Sequence, residues 1–584
     1  MKYIARISFV LCFSTFIFQQ GFSQPLNQKE KFTREDTLRG TITPERAWWN
    51  VVFYNISVTP DYKAKTISAW NQIGFDVNID GSNKKMQIDL QQPMVIDSIL
   101  FAGKKINSFS RTGNVYIIDF GDHHFMSAKT SLQKKIPVVL NKLTIYYHGK
   151  PREAVTPPWD GGWIFAKDTK GRPWMTVACQ GLGASVWYPC KDHQSDEPDQ
   201  GATIQINVPD TLTAVANGKL IAKEMMPNKM TSYKWEVKNP INNYNIVPYI
   251  GKYVNFSDTY IGETEKNLSL DYWVLDYNLE KAKKQFGRDV KRMLEAFEYW
   301  FGPYPFFEDG FKLVESSHLG MEHQSATAYG NHYMNGYLGG DLSGSGWGLK
   351  WDYIIIHEAG HEWFGNNITT NDIADMWVHE GFTMYSEVLF TEYHYGKKAA
   401  DEYVQGIRNN ISNDMPVIGH YGVNQEGSGD MYNKGANLLH TIRQVIKDDS
   451  LFRKIMRGLN KDFFHRTVDS KDVEAYFSKQ SGKDFSKVFD QYLRTTKIPV
   501  LEVKETGDKL SYRWTNCIDG FDMPVKLENG GLWLYPTTQW KKLAITPEIK
   551  KKALAVDKNF YVELKTTGSF SIIPPPPETP RKGF

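Results

Sequence analysis

Tyr353-Ile354-Ile355-Ile356-His357-Glu358-Ala359-Gly360-His361-Glu362-Trp363-Phe364-Gly365-Asn366 is the stretch that decides how this chain is read. Apolar residues run through it, so the pattern predicts a buried helix that ends at Asn366-Asn367. On a helix, residues four apart are separated by about 40° of rotation and roughly 6 Å of rise, so the His357 and His361 imidazoles face a common point and share a metal there. Glu358 falls beside the metal's open position, where a carboxylate takes a proton from a bound water and later returns it to a leaving group. The alternative is a core helix that carries these residues by coincidence. A charged triplet inside such an apolar run is costly unless it is paired or bound to metal.

Zinc held by two histidines needs a further protein ligand and keeps one position for water. Glu380 lies nineteen residues after His361, in Trp377-Val378-His379-Glu380-Gly381-Phe382. A loop at Thr369-Thr370-Asn371-Asp372 and a second apolar helix fit that interval, which makes His357, His361 and Glu380 the expected ligand set. His379 competes, but it points about 100° away from its neighbour on a helix and is read as a supporting or core residue. A metzincin site needs Gly and His where Phe364 and Asn367 stand, which excludes it. A thermolysin-type site has an Asp at the position filled by Met384.

His357-Glu358-Ala359-Gly360-His361 followed by Trp377-Val378-His379-Glu380-Gly381-Phe382 resembles the M1 family of zinc aminopeptidases. That family's Gly-x-Met-Glu-Asn segment aligns with Leu319-Gly320-Met321-Glu322-His323, and its Tyr-x-Lys-Gly-Ala segment with Tyr432-Asn433-Lys434-Gly435-Ala436. Its Gln-x-x-Gly-Ala-Arg…Pro-Cys-x-Asp segment aligns with Gln180 to Asp192, with Ser185 in place of the arginine. The resemblance implies that Glu322 and Gln180 hold a substrate's α-amine and that Gly320, Met321 and His323 line its path. His323 in place of Asn changes how the substrate backbone is held. By the same resemblance, Tyr432 donates to an oxyanion beside the metal. A fixed carboxylate for an α-ammonium also sets how many residues lie upstream of a cut.

The rest of the chain fits such a reading. A length of 584 residues suggests roughly three or four domains. The 69 basic and 66 acidic residues nearly cancel, so no strong field favours nucleic acid or an anionic membrane. Met1 to Arg6 is a basic start, Ile7 to Phe18 is apolar but too short to span a bilayer, and Gly21 to Gln24 offers small residues for cleavage. The expectation is a signal peptide over 1–23 and a secreted or periplasmic protein with no stable membrane insertion afterwards. Cys179, Cys190 and Cys517 then remain, too few for a disulfide scaffold, and Cys179 and Cys190 are read as either a pair or buried thiols.

The predicted fold class is multidomain α+β. An extension over 24–47 precedes a β-rich domain over 48–258, where apolar and polar residues alternate. A mostly helical, thermolysin-like catalytic domain covers 259–497, with an amphipathic helix from Leu279 to Trp300. Gly-rich Asn335 to Gly348 is read as a mobile surface loop, since no Gly-Lys-Ser/Thr follows it. Period-two patterning returns over 498–573 as a small β-sandwich, and 574–584 is a Pro-rich tail. The large C-terminal helical domain of many M1 members has no counterpart, which implies an open cleft that admits longer peptides.

The function expected from the resemblance is hydrolysis of the first peptide bond of peptides with a free N-terminus, using one Zn2+. Two other readings stand beside it: an epoxide hydrolase of the same family, and an inactive exported binding module.

Overall fold

The computed structural model describes residues 31–77, 84–126, 141–506, 509–528, 531–544 and 554–567. The leader at 1–23 and the tail at 574–584 lie outside these. Two short helices, α1 (Arg34–Gly40) and α2 (Pro44–Ala47), precede the first strand. That strand, Trp49–Asp61, pairs antiparallel with Thr66–Val77 and parallel with Ala202–Pro209 inside an eight-stranded sheet. A four-stranded sheet contains Gly162–Lys167 and Pro173–Ala178, so its chain runs directly into Gln180.

A five-stranded sheet begins with Tyr253–Ile261 and Asn267–Leu275, continues through Phe311–Glu315 and Thr327–Tyr329, and ends on the two-residue edge strand Gly320–Met321. Leu268, Leu270, Tyr272 and Val274 alternate into the core, the period expected of a strand with one packed face. Against this sheet lies α3 (Leu279–Phe301), whose Phe286, Val290, Met293, Leu294 and Phe297 form one fully buried stripe. Helices α4 (Tyr353–Gly360) and α5 (Trp377–Tyr395) fill the middle of the molecule, and every residue of α4 is buried. Next come α6 (Lys397–Ile407), α7 (Asn433–Ile446), α8 (Asp449–Asp462), α9 (Ser470–Ser481) and α10 (Ser486–Leu493). Val500–Thr506, Lys509–Thr515, Lys541–Ala544 and Glu563–Thr567 close the chain as a four-stranded sheet.

Three local expectations are corrected. The helix carrying the histidines ends at Gly360, and a wide turn over Glu362–Asn366 follows, in which Gly365 takes φ 123°. The turn brings the Phe364 carbonyl back to His361, which a continuing helix would not allow. Thr369-Thr370 is not loop but part of a strand, Ile368–Thr370, paired in parallel with Arg466–Val468. The Gly-rich segment is tied down rather than loose: Asp341 accepts from Ser343 and Gly346, and Asn410 donates to the Leu342 carbonyl. Cys179 and Cys190 are both free and buried.

Asp352 caps α4 from inside the protein. Its Oδ1 accepts from the Ile354 and Ile355 amides and from Asn331, and its Oδ2 accepts from Gln285 and Tyr329. Burial nevertheless pushes its carboxyl up from 3.8 to about 7, against these hydrogen bonds. Asp352→Ala strands several buried donors and removes a cap, so it is expected to lower stability by about 3 kcal/mol, read by chemical denaturation. Because the folded state holds the proton more tightly, wild type loses stability relative to Asp352→Asn as pH rises from 3.8 towards about 7, a trend that melting curves check.

Candidate metal centre and substrate cleft

His357 and His361 come from α4 and its last turn, and Glu380 from the first turn of α5. One ligand atom from each lies within 4.8 Å of the others. Glu380 Oε2 is 3.6 Å from His357 Nε2 and 3.3 Å from His361 Nε2. Tetrahedral zinc with ligands at about 2.0–2.1 Å requires a ligand-to-ligand edge of about 3.3 Å, so the geometry suits that ion.

The protons support the same conclusion. His357 Nδ1 lies 2.6 Å from Glu387 Oε1, and His361 Nδ1 lies 3.0 Å from the Phe364 carbonyl. Both partners are acceptors, so each Nδ1 carries a hydrogen, and each Nε2 faces the centre, where a neutral ring can offer its lone pair to a metal. Glu380 Oε2 is buried there without a hydrogen bond. Positive charge holds these groups together, supplied by protons on the imidazoles or by a metal ion bound among them. Burial works to lower the His357 pKa, yet Glu380 and Glu387 outweigh it and hold it well above the usual histidine range. Burial likewise pushes Glu380 upward, and His361 and His357 overcome it to hold its carboxyl well below the usual range. The pocket favours positive charge at its centre.

Glu387, which sequence reasoning passed over, orients His357. It stands two helical turns beyond Glu380 on the same face of α5, and Tyr403 donates to its other oxygen at 2.6 Å. His379 is buried, and its Nε2 accepts from the Thr370 amide, so it is a core residue that anchors the neighbouring strand.

Glu358 sits at the cleft wall, where burial pushes its carboxyl up to about 7, with Glu322 and Glu380 adding and the two histidines opposing. A general base works best with a pKa near the operating pH. A Cβ on Gly320 would stand 2.5 Å from Glu358 Oε1, so the edge strand approaches this closely only because that residue is glycine. Glu322 is buried and shares a 4.8 Å cluster with Glu358 and His361. Gln180 Nε2 donates to Glu322 Oε1 at 2.5 Å, and the Tyr244 hydroxyl, which no sequence signal marks, donates to the same oxygen at 2.8 Å. Asn366 ties the parts together: it donates to the Glu322 carbonyl and accepts from Asn245.

Tyr432 stands immediately before α7, its ring stacked 6.0 Å from that of His357. Its placement depends on a close crossing of α5 and α7, where a Cβ on Gly435 would come within 2.8 Å of the Gly381 Cα. The cleft holds about 860 Å³ and is lined by Gln180, Gly320, Met321, Glu322, Glu358 and Tyr432 among others. The Gly-rich segment forms part of its wall through Tyr337, Leu338, Asp341 and Ser343. His323 is not among the lining residues; its ring is buried and bonded to the Tyr249 hydroxyl.

Residues 286–492 match the model described as the Peptidase family M1 domain. Over this stretch the chain is similar to the M1 peptidase domain. Aminopeptidase B of Mus musculus is 24% identical over 375 residues, 60% of this chain and 54% of its own. Tricorn protease-interacting factor F2 of Thermoplasma volcanium is 21% identical over 363 residues, 59% of this chain and 44% of its own. The chain thus spans about half the length of these relatives. Among solved structures, a mutant M1 zinc metallopeptidase from Deinococcus radiodurans with a bound Tyr-Ser-Ala substrate is similar at a TM-score of 0.64 and 18% identity, covering 78% of this chain and 96% of that one. A two-domain M1 zinc metallopeptidase mutant bound to L-tryptophan gives 0.63. The M1 fold and the ligand geometry agree on one zinc ion as the expected metal.

Glu387→Ala frees the His357 ring and is expected to weaken zinc about 10- to 100-fold, measured by competition with a chromogenic chelator.

Proposed function

We propose that this protein is a zinc-dependent aminopeptidase that removes the first residue from peptides with a free N-terminus. The observation that carries this reading is Glu322, a buried carboxylate in one cluster with Glu358 and His361. The α-nitrogen and the carbonyl carbon of one residue are about 2.5 Å apart, so an anchor this close to the reacting group leaves room for a single residue upstream of the cut. The cleft's other charged lining groups are also carboxylates, among them Asp341, Glu380 and Glu426, as suits a cationic chain end.

Zinc, when bound, acts as a Lewis acid that acidifies water and polarises the scissile carbonyl. Glu358 takes the proton of the attacking water and passes it to the departing amine. Glu322 holds the α-ammonium with help from Gln180, and Met321 flanks the entering chain. Tyr432 donates its hydroxyl to the carbonyl oxygen as charge builds there. Export is supported by the basic and apolar start of the chain over residues 1–23.

Two experiments test the reading. Glu358→Ala is expected to retain zinc but lose at least about 10³-fold in kcat on aminoacyl nitroanilides, and chelation to silence wild type; a variant that stays active removes the assigned base. Glu322→Gln is expected to raise KM for free-amine peptides while N-acetylated peptides remain uncut by both proteins. Equal cleavage of free and acetylated peptides by wild type would show that no amine is being read.

A further inference from the structure

Resting on the aminopeptidase reading, we propose that Arg39 is a positioning residue for amine recognition. Reaching in from the N-terminal extension, it holds Gln180 against Glu322.

The loop Gln180-Gly181-Leu182 is a thin partition. One side of it lines the substrate cleft, and the other faces a second cavity of about 340 Å³, also lined by Gly181 and Leu182. Leu182 packs against the β-domain core beside Gly161, and hydrogen bonds tether the loop's carbonyls. Arg39 supplies two of the tethers, donating to the Leu182 carbonyl and, at 3.2 Å, to the Gly181 carbonyl. Gln91 donates to Leu182 at 2.8 Å, and Asn424 donates to Gly181 at 3.2 Å. The planar guanidinium is suited to bridging two neighbouring carbonyls in a way a lysine ammonium is not.

The surrounding residues are arranged to admit this side chain. Asp192 Oδ2 lies 3.9 Å from the guanidinium and accepts from Ser185 Oγ at 2.5 Å. Ser185 stands where the resembling motif carries an arginine, so here the positive charge beside Asp192 arrives from elsewhere in the chain. Gly183 has φ 98°, and a Cβ on it would run into both the Arg39 guanidinium and the Asp192 carboxylate.

The extension itself is firmly anchored. Fully buried Arg46 pairs with Asp89 at 2.5 Å, and its other nitrogen donates to the Arg39 and Thr41 carbonyls. Gly40 packs directly on the Gly422–Asn424 backbone, where any Cβ would clash. Helix α1 therefore staples the Gln180 loop to the segment that leads towards Tyr432. Because Gln180 reaches Glu322 at the end of this tethered loop, a shift of the loop weakens amine binding and leaves the metal and its base in place.

The test is a double-mutant cycle on wild type, Arg39→Ala, Gln180→Ala and the double variant, assayed on leucine and alanine 4-nitroanilides with zinc content and melting temperature followed in parallel. The expected result is a rise in KM of about tenfold for Arg39→Ala with kcat and zinc content near wild type, and a double variant no worse than Gln180→Ala alone. Arg39→Lys, which keeps the charge but loses the bridge, falls between the two, and it carries the same cycle if Arg39→Ala does not fold. An unchanged KM, or single effects that add in full, overturns the role of Arg39. A wild type inactive on both nitroanilides overturns the aminopeptidase reading itself.

Discussion

Three candidate metal ligands converge in the middle of this protein, and the rest of the structure keeps them there. His357 Nε2, His361 Nε2 and Glu380 Oε2 converge in a buried space, with each imidazole's proton already committed on its far side. Without a metal the imidazoles pair with Glu380 through protons, and the same three groups would hold a metal ion in their place. The surrounding packing is correspondingly rigid. α4 is buried on every side and capped by a carboxylate that accepts from both backbone and side chains, and α5 is locked to α7 by a glycine-to-glycine crossing. A metal site built this way keeps its donors aligned at little reorganisation cost on binding.

The two ends of the cleft are made differently. The metal end draws on two neighbouring helices. The end around Glu322 is assembled across the molecule: Glu322 directly follows an edge strand, Gln180 comes from the loop after a β-domain strand, and Tyr244 from the same β-rich region. Asn366, at the end of the wide turn that follows the metal helix, touches both the Glu322 backbone and Asn245.

The errors in reading the chain share a physical cause. Glu322 lines the cleft, whereas His323, which opens the turn closed by the Ala326 amide, packs into the core against Tyr249. The Gly-rich segment is featureless as sequence because its order comes from Asp341, Asn331 and Asn410, two of which belong to other parts of the chain. The wide turn after Gly360, where Phe364 and Gly365 leave helical geometry, carries the Phe364 carbonyl to His361 Nδ1, a contact no helical period records.

What the sequence determined by itself is the chemistry whose geometry is local. A four-residue helical offset aims two imidazoles at one point, a carboxylate one step on falls beside them, and a second apolar helix within reach supplies Glu380. Gln180 and Tyr432 were legible only through resemblance to a family, since nothing in their neighbours distinguishes a site residue from a packing residue. Tertiary structure alone decided that Glu387 orients His357, that Tyr244 shares Glu322, and that Arg39 grips a loop 143 positions further along the chain. Those contacts depend on how distant segments are brought together, and no periodicity within a segment records which distant partner it will meet.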